Sequence, residues 1–212
     1  MSISTNLIQN RKTVLKFSEN IRDRRTKDEF RIGYVGKFFP GGFSKGYEDL
    51  VDLAVHYKNI GVKRFISLSG GLENEVREVV KRVSPYNLSA KNFEITGHLK
   101  HSDSLAKVKS MDIVVLPEPR DPNYLGSPLK SYEACALGRI LVVAECKTNR
   151  EQFGEAEFIY WYQSKNVESL ANVIDFALND DLVGEKILQQ IEFARLNTWE
   201  FRVESVLKEL DH

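Results

Sequence analysis

The sequence predicts a three-layer α/β domain, a parallel sheet of about six strands with helices on both faces. Three observations lead there. From Phe30 onward, short apolar runs alternate with amphipathic stretches, the pattern of repeated strand–helix–strand units. The amphipathic stretches end at helix stops such as Gly61, Pro85 and Gly138. The length, 212 residues, suits one α/β domain with a full core and leaves little room for a second.

Residues 1–29 form a charged lead-in or linker. Between Asn10 and Arg31 eight basic residues face four acidic ones, and Val14, Leu15, Phe17 and Ile21 give one helix only a modest apolar face. A solvated linker explains this better than a basic arm for anionic lipid. The domain proper then runs from 30 to 212. Strands are expected at Arg31–Gly36, Arg64–Ser69, Asn92–Thr96, Asp112–Pro117, Ile140–Ala144 and Glu157–Trp161. Between them, Tyr47, Leu50, Val51, Ala54 and Tyr57 recur at helical spacing before Gly61. Further helices are expected at Glu73–Val83, Ser102–Lys109, Ser127–Leu137 and Asn149–Glu155. Three more, at Val167–Leu178, Leu182–Leu196 and Trp199–Leu210, form a helical tail.

Composition narrows the function. Thirty basic and thirty acidic residues cancel, so nucleic acid is not an expected partner. Cys135 and Cys146 form neither a disulfide framework nor a zinc pattern, Met1 to Gln9 shows no basic region followed by an apolar run, and no segment is apolar enough to span a bilayer; a cytoplasmic location is expected.

In a sheet of this kind ligands bind at the carboxyl ends of the strands. The most informative loop there is Gly126-Ser127-Pro128-Leu129-Lys130, which opens the helix carrying Glu133. Ser127 is a good N-cap and Pro128 a good first helical residue. The free amides, the positive end of the helix and the Lys130 charge together suit a phosphate or diphosphate. One turn on, Glu133 is placed to accept hydrogen bonds from the two hydroxyls of a ribose. The loop after the first strand, from Gly36 to Gly46, adds Lys37, Lys45 and four glycines. It is neither a dinucleotide fingerprint nor a P-loop. Gly70 and Gly71 follow the second strand, where absent side chains permit close approach. Gly97, His98 and Leu99 follow the third and are placed to meet a base. Taken alone, the two loop lysines would read as solvated, and Lys130 with Glu133 as a surface ion pair.

Together Tyr34-Val35-Gly36-Lys37, Lys45-Gly46, Ile95-Thr96-Gly97, Asp112 to Pro117, Ser127 to Lys130, Glu133-Ala134, Gly138 and Trp199 form an ordered series. The series resembles the donor-binding, C-terminal, Rossmann-like domain of the retaining GT-B glycosyltransferases of the group 1 family, which includes enzymes of polysaccharide and lipopolysaccharide synthesis. The resemblance implies that Lys37, Lys45 and Glu133 are the catalytic set around a UDP- or GDP-linked sugar, with no cofactor and no metal. It also implies substrate contacts from Gly36, Gly70, Gly71, Gly97, His98, Leu99, Ser127, Pro128, Leu129 and Lys130. Lys37 stands where the family commonly has arginine. The first glutamate of the family's paired motif falls at Leu125, and Asp121 or Asn123 are the candidate substitutes.

The same resemblance implies an N-terminal acceptor domain for which only about thirty residues precede the first strand. The chain is therefore expected to be a truncated or isolated domain, weak or inactive in transfer, while the full-length enzyme has the option of peripheral membrane contact. The rival readings are a GT-B sugar-nucleotide epimerase domain and a non-catalytic Rossmann-type binding module.

Overall fold

A computed structural model describes residues 30–121 and 129–201, together with positions 203 and 207. Strand β1 (Arg31–Val35) leads through a 3-10 turn at Pro40–Gly42 into α1 (Glu48–Ile60). Then follow β2 (Phe65–Ser69), α2 (Glu73–Val83), β3 (Phe93–Thr96), α3 (His101–Lys109), β4 (Ile113–Leu116) and α4 (Leu129–Ala136). The remainder is β5 (Ile140–Glu145), α5 (Lys147–Phe153), β6 (Tyr160–Gln163), α6 (Val167–Asn179) and α7 (Val183–Arg195), with another helix starting at Trp199. The helix expected near residues 14–21 lies outside the described residues.

The strands pair in the order β3-β2-β1-β4-β5-β6, and every pairing is parallel. The sheet is apolar on both faces because successive side chains alternate. Ile113 and Val115 enter one core and Val114 and Leu116 the other, while Ile140, Val142 and Ala144 oppose Leu141 and Val143 in the same way. Helices α1, α2 and α6 cover the first face. Helices α3, α4 and α5 cover the second, and α7 reaches into both, with Phe193 stacked on Tyr132 at 5.6 Å. Each fully buried aliphatic side chain contributes roughly 1.5–3 kcal/mol relative to exposure.

Local signals end the helices as expected. Gly61 closes α1 in the left-handed region (φ 76°, ψ 13°), and its N–H reaches the carbonyls of Tyr57 and Lys58. At the start of α2, Glu75 accepts a hydrogen bond from the Leu72 N–H at 2.8 Å, satisfying an amide that the helix cannot. The last strand departs from expectation: it runs from Tyr160 to Gln163, not from Glu157 to Trp161. Phe158 and Ile159 are buried, but they belong to a turn closed by the Ile159 N–H on the Ala156 carbonyl at 3.2 Å.

Strands β1 and β4 lie side by side although far apart in sequence, so the chain's winding reverses between them. Their carboxyl ends open a crevice, the place where doubly wound sheets hold ligands. No described helix is long and apolar enough to cross a membrane.

Candidate functional site

The crevice holds a cavity of about 300 Å³ whose walls include Gly36, Lys37, Lys45, Leu129 and Lys130. Lysines from the loop after β1 and from the first turn of α4 therefore line one space. The first loop is fixed from beneath. Phe38 is fully buried, its ring 5.5 Å from that of Tyr47 and 6.2 Å from that of Tyr34. The Tyr34 hydroxyl donates to the Lys37 carbonyl at 2.8 Å, and the Lys45 N–H donates to the Phe38 carbonyl at 2.8 Å. Lys45 is thus returned to the mouth of β1. Partial burial lowers its pKa to about 8, because desolvation disfavours the charged ammonium. Lys37 is exposed.

On the other wall, the Lys130 ammonium donates to Glu133 Oε2 at 2.7 Å and to the Ser104 hydroxyl at 2.9 Å. The ion pair read from the sequence is formed, and its Glu133 side chain is only 15% exposed. Glu133 also lies 4.0 Å from His101 Nδ1. His101 and Ser104, in the first turn of α3, thus contact Glu133 and Lys130 from behind the cavity wall, and nothing in the sequence pattern singles them out. Buried Asn149 does line the cavity, although its sequence context does not single it out; its amide donates to the Ala144 carbonyl at 2.8 Å.

The other expected site residues are placed differently. At Gly70 and Gly71 the close approach is made by the protein itself. A Cβ on Gly70 would stand 2.2 Å from the Gly36 carbonyl oxygen, and one on Gly71 would stand 2.6 Å from the Phe38 ring. Their missing side chains thus let two loops pack together behind the cavity wall. Gly97, His98 and Leu99 follow β3 at the same sheet edge, His98 exposed, and do not line the cavity. Ser127 and Pro128 lie outside the described residues, as do Leu125 and Asn123. Asp121, a candidate substitute for the absent glutamate, is partly buried in the segment that follows β4.

A polar network not foreseen from the sequence ties the loops together. Asp49, in the first turn of α1, is only 4% exposed and accepts from the Tyr162 hydroxyl at 2.7 Å and from Arg120. Burial pushes the Asp49 carboxyl above its ordinary value, opposed by the Tyr162 hydrogen bond and the Arg120 charge. Arg120 also donates to Ser164 at 3.4 Å, and its backbone N–H donates to the Ser44 carbonyl at 2.7 Å, next to Lys45. Three loops at the carboxyl edge are so joined to one buried carboxylate.

Residues 16–196 match the family model for Glycosyl transferases group 1, and the chain belongs to that family. Among curated proteins, it is 28% identical over 127 residues to N,N'-diacetylbacillosaminyl-diphospho-undecaprenol alpha-1,3-N-acetylgalactosaminyltransferase of Campylobacter jejuni subsp. jejuni serotype O:2, covering 57% of this chain and 33% of that protein. Among solved structures, the sucrose-phosphate synthase of Thermosynechococcus elongatus superposes with a TM-score of 0.67 at 21% identity, covering 91% of this chain and 48% of that one. HepE of Anabaena, solved in complex with UDP and glucose, gives a TM-score of 0.67 at 16% identity, covering 92% and 51%. These structures share the fold, one half of a GT-B arrangement, and the chain spans about half the length of each and a third of the Campylobacter protein.

Proposed function

We propose that this chain is the C-terminal, donor-binding domain of a retaining, metal-independent glycosyltransferase, and that its site takes a nucleoside-diphosphate sugar. The observation that carries the reading is the convergence of Lys37, Lys45 and Lys130 on one cavity at the carboxyl edge of the sheet, in a group 1 chain. The Anabaena structures, solved with UDP and with UDP-glucose, support a uridine nucleotide as the first candidate. The Campylobacter relative's name supports a lipid-linked acceptor.

The chemistry follows from the charges. As the bond between the sugar and the diphosphate breaks, negative charge grows on the leaving phosphate. Three ammonium groups and the amides opening α4 are placed to stabilise it in a partly dehydrated crevice. This supply of positive charge serves in place of a metal ion. Glu133 holds Lys130 in place and offers its carboxylate to the ribose hydroxyls. Retention of anomeric configuration rests on the family resemblance and is read from the product by proton NMR. The acceptor is expected to bind through residues other than these, so the 212-residue chain alone binds donor and transfers weakly.

Calorimetric titration with UDP, GDP and ADP tests the site. Lys45→Ala removes a charge-assisted contact and should weaken diphosphate binding about 10- to 100-fold. Glu133→Ala should weaken UDP binding while sparing inorganic pyrophosphate, because the carboxylate addresses the ribose and its loss leaves Lys130 free for phosphate. Wild-type affinity for UDP in both variants, with circular dichroism unchanged, would remove the site.

The lowered Lys45 pKa adds a pH signature. Below about 8 the ammonium is charged and available to the diphosphate; above it the free protein loses that proton. UDP affinity should therefore fall as pH rises through about 8, by up to about tenfold per pH unit. Lys45→Arg, which stays charged, should flatten the profile. A flat profile in the unaltered protein would argue that Lys45 does not touch the phosphates.

A further inference from the structure

A second cavity, of about 280 Å³, lies at the opposite edge of the sheet, where the end of α1, the turn into β2 and the loop into β3 meet. It is close in size to the lysine-lined crevice, about 300 Å³, and lies just below the usual range of drug-sized pockets, about 300–1,000 Å³, which suits a small ligand. One wall is apolar, built from Val62, Leu88, Phe93 and the ring of Tyr57. The other carries Lys58, Lys63 and Arg64, and there is no carboxylate among the described lining residues. In a chain whose charges balance overall, this is a local excess of cations against an apolar surface.

The walls are held in place before any ligand arrives. The Lys58 ammonium donates to the carbonyls of Tyr86 at 2.8 Å and Asn87 at 3.3 Å, tying α1 to the loop across the cavity. Asn87 sits there in the left-handed region (φ 47°, ψ 48°). Arg64 lies over the rings of Phe30 and Tyr57 and pairs with Asp175 at 2.9 Å. Its charge is therefore partly balanced, and the net attraction comes from Lys58 and exposed Lys63.

We infer that this cavity is a second binding site, for a small organic anion with a flat or short apolar body, such as an aryl phosphate or carboxylate. The anionic head meets Lys63 and Lys58, and the body lies on Val62, Leu88 and Phe93. The site is independent of the donor reading, and no residue is shared between the two cavities.

The test is amide NMR of the full chain titrated with phenyl phosphate, inorganic phosphate and benzyl alcohol. The titrations are repeated in Lys45→Ala, so that phosphate binding in the donor crevice is told apart. Phenyl phosphate should shift the amides of Val62, Lys63, Leu88 and Ser89 at about millimolar concentration. It should do so equally in Lys45→Ala and at least about tenfold more weakly in Lys63→Glu, whose substitution lies on the surface. Inorganic phosphate and benzyl alcohol should each bind much more weakly than the compound that combines them. Three results would overturn the inference: shifts confined to residues around Lys37 and Lys45, benzyl alcohol matching phenyl phosphate, or Lys63→Glu binding like the unaltered chain.

Discussion

Replacing Arg120 with leucine is expected to cost about 3 kcal/mol of folding stability at neutral pH, because it strands a buried carboxylate. Asp49 is 4% exposed and, among the described residues, would keep the Tyr162 hydroxyl as its one side-chain donor. For a chain of this size the loss corresponds to a drop of about 6–12 °C in Tm. The sign with pH is fixed. Burial already raises the Asp49 pKa, and removing the guanidinium raises it further. The penalty therefore stands above the new folded-state pKa and fades as acid protonates the carboxyl. Thermal melts across pH check this, and a second substitution, Asp49→Leu, should recover much of the loss by removing the stranded charge as well. Donor affinity should stay reduced in the double variant. The loop carrying Pro117 and Pro119 lines the lysine cavity and would no longer be tied to α1 and to Ser164. A single variant that melts within about 1 °C of the unaltered protein would show that the pair contributes little.

The second large effect is expected at Gly70. Its backbone sits at φ 117°, and a Cβ there would stand 2.2 Å from the Gly36 carbonyl oxygen and 2.8 Å from the Gly36 carbonyl carbon. Neither is the flexible tip of a side chain. Gly36 is held by its N–H on the Ser69 carbonyl at 2.9 Å, and Gly70 by its own on Thr96 at 3.0 Å. Gly70→Ala should therefore cost about 3–5 kcal/mol or prevent soluble expression. Gly97→Ala is the control, since its Cβ would meet only the Val76 methyl at 3.7 Å, and it should melt within a few degrees of the unaltered chain. Equal melting of the two variants would mean that the loop at Gly36 can yield.

The contrast between Gly70 and Gly97 also marks where reading the sequence stops. Both are glycines after a strand, and sequence alone offers both as places for a ligand to approach; only the neighbouring loop shows that one of them is filled by backbone. The strands were legible because their apolar runs are bounded by turn residues. Where the run is continuous, as in Phe158 to Tyr162, its composition does not say where the turn ends and β6 begins. The lysine cavity was legible because glycines and a Ser-Pro helix start mark two loops that the parallel sheet must bring to one edge. Asp49, Arg120 and Tyr162 gave no such sign. They lie 71 and 113 positions apart, and nothing local distinguishes a buried aspartate in an amphipathic helix from a solvated one. His101, Ser104 and Asn149 were missed for the same reason, since their part depends on which helix starts face one another.

Strands β1 and β4 each have a neighbour on both sides, whereas among the described residues β3 and β6 have one apiece. Fraying and partial opening begin at margins and spread inward. The segments that launch Lys37 and lead toward Lys130 are thus anchored in the two ribbons that let go last, so the crevice can keep its shape while the periphery of the molecule breathes.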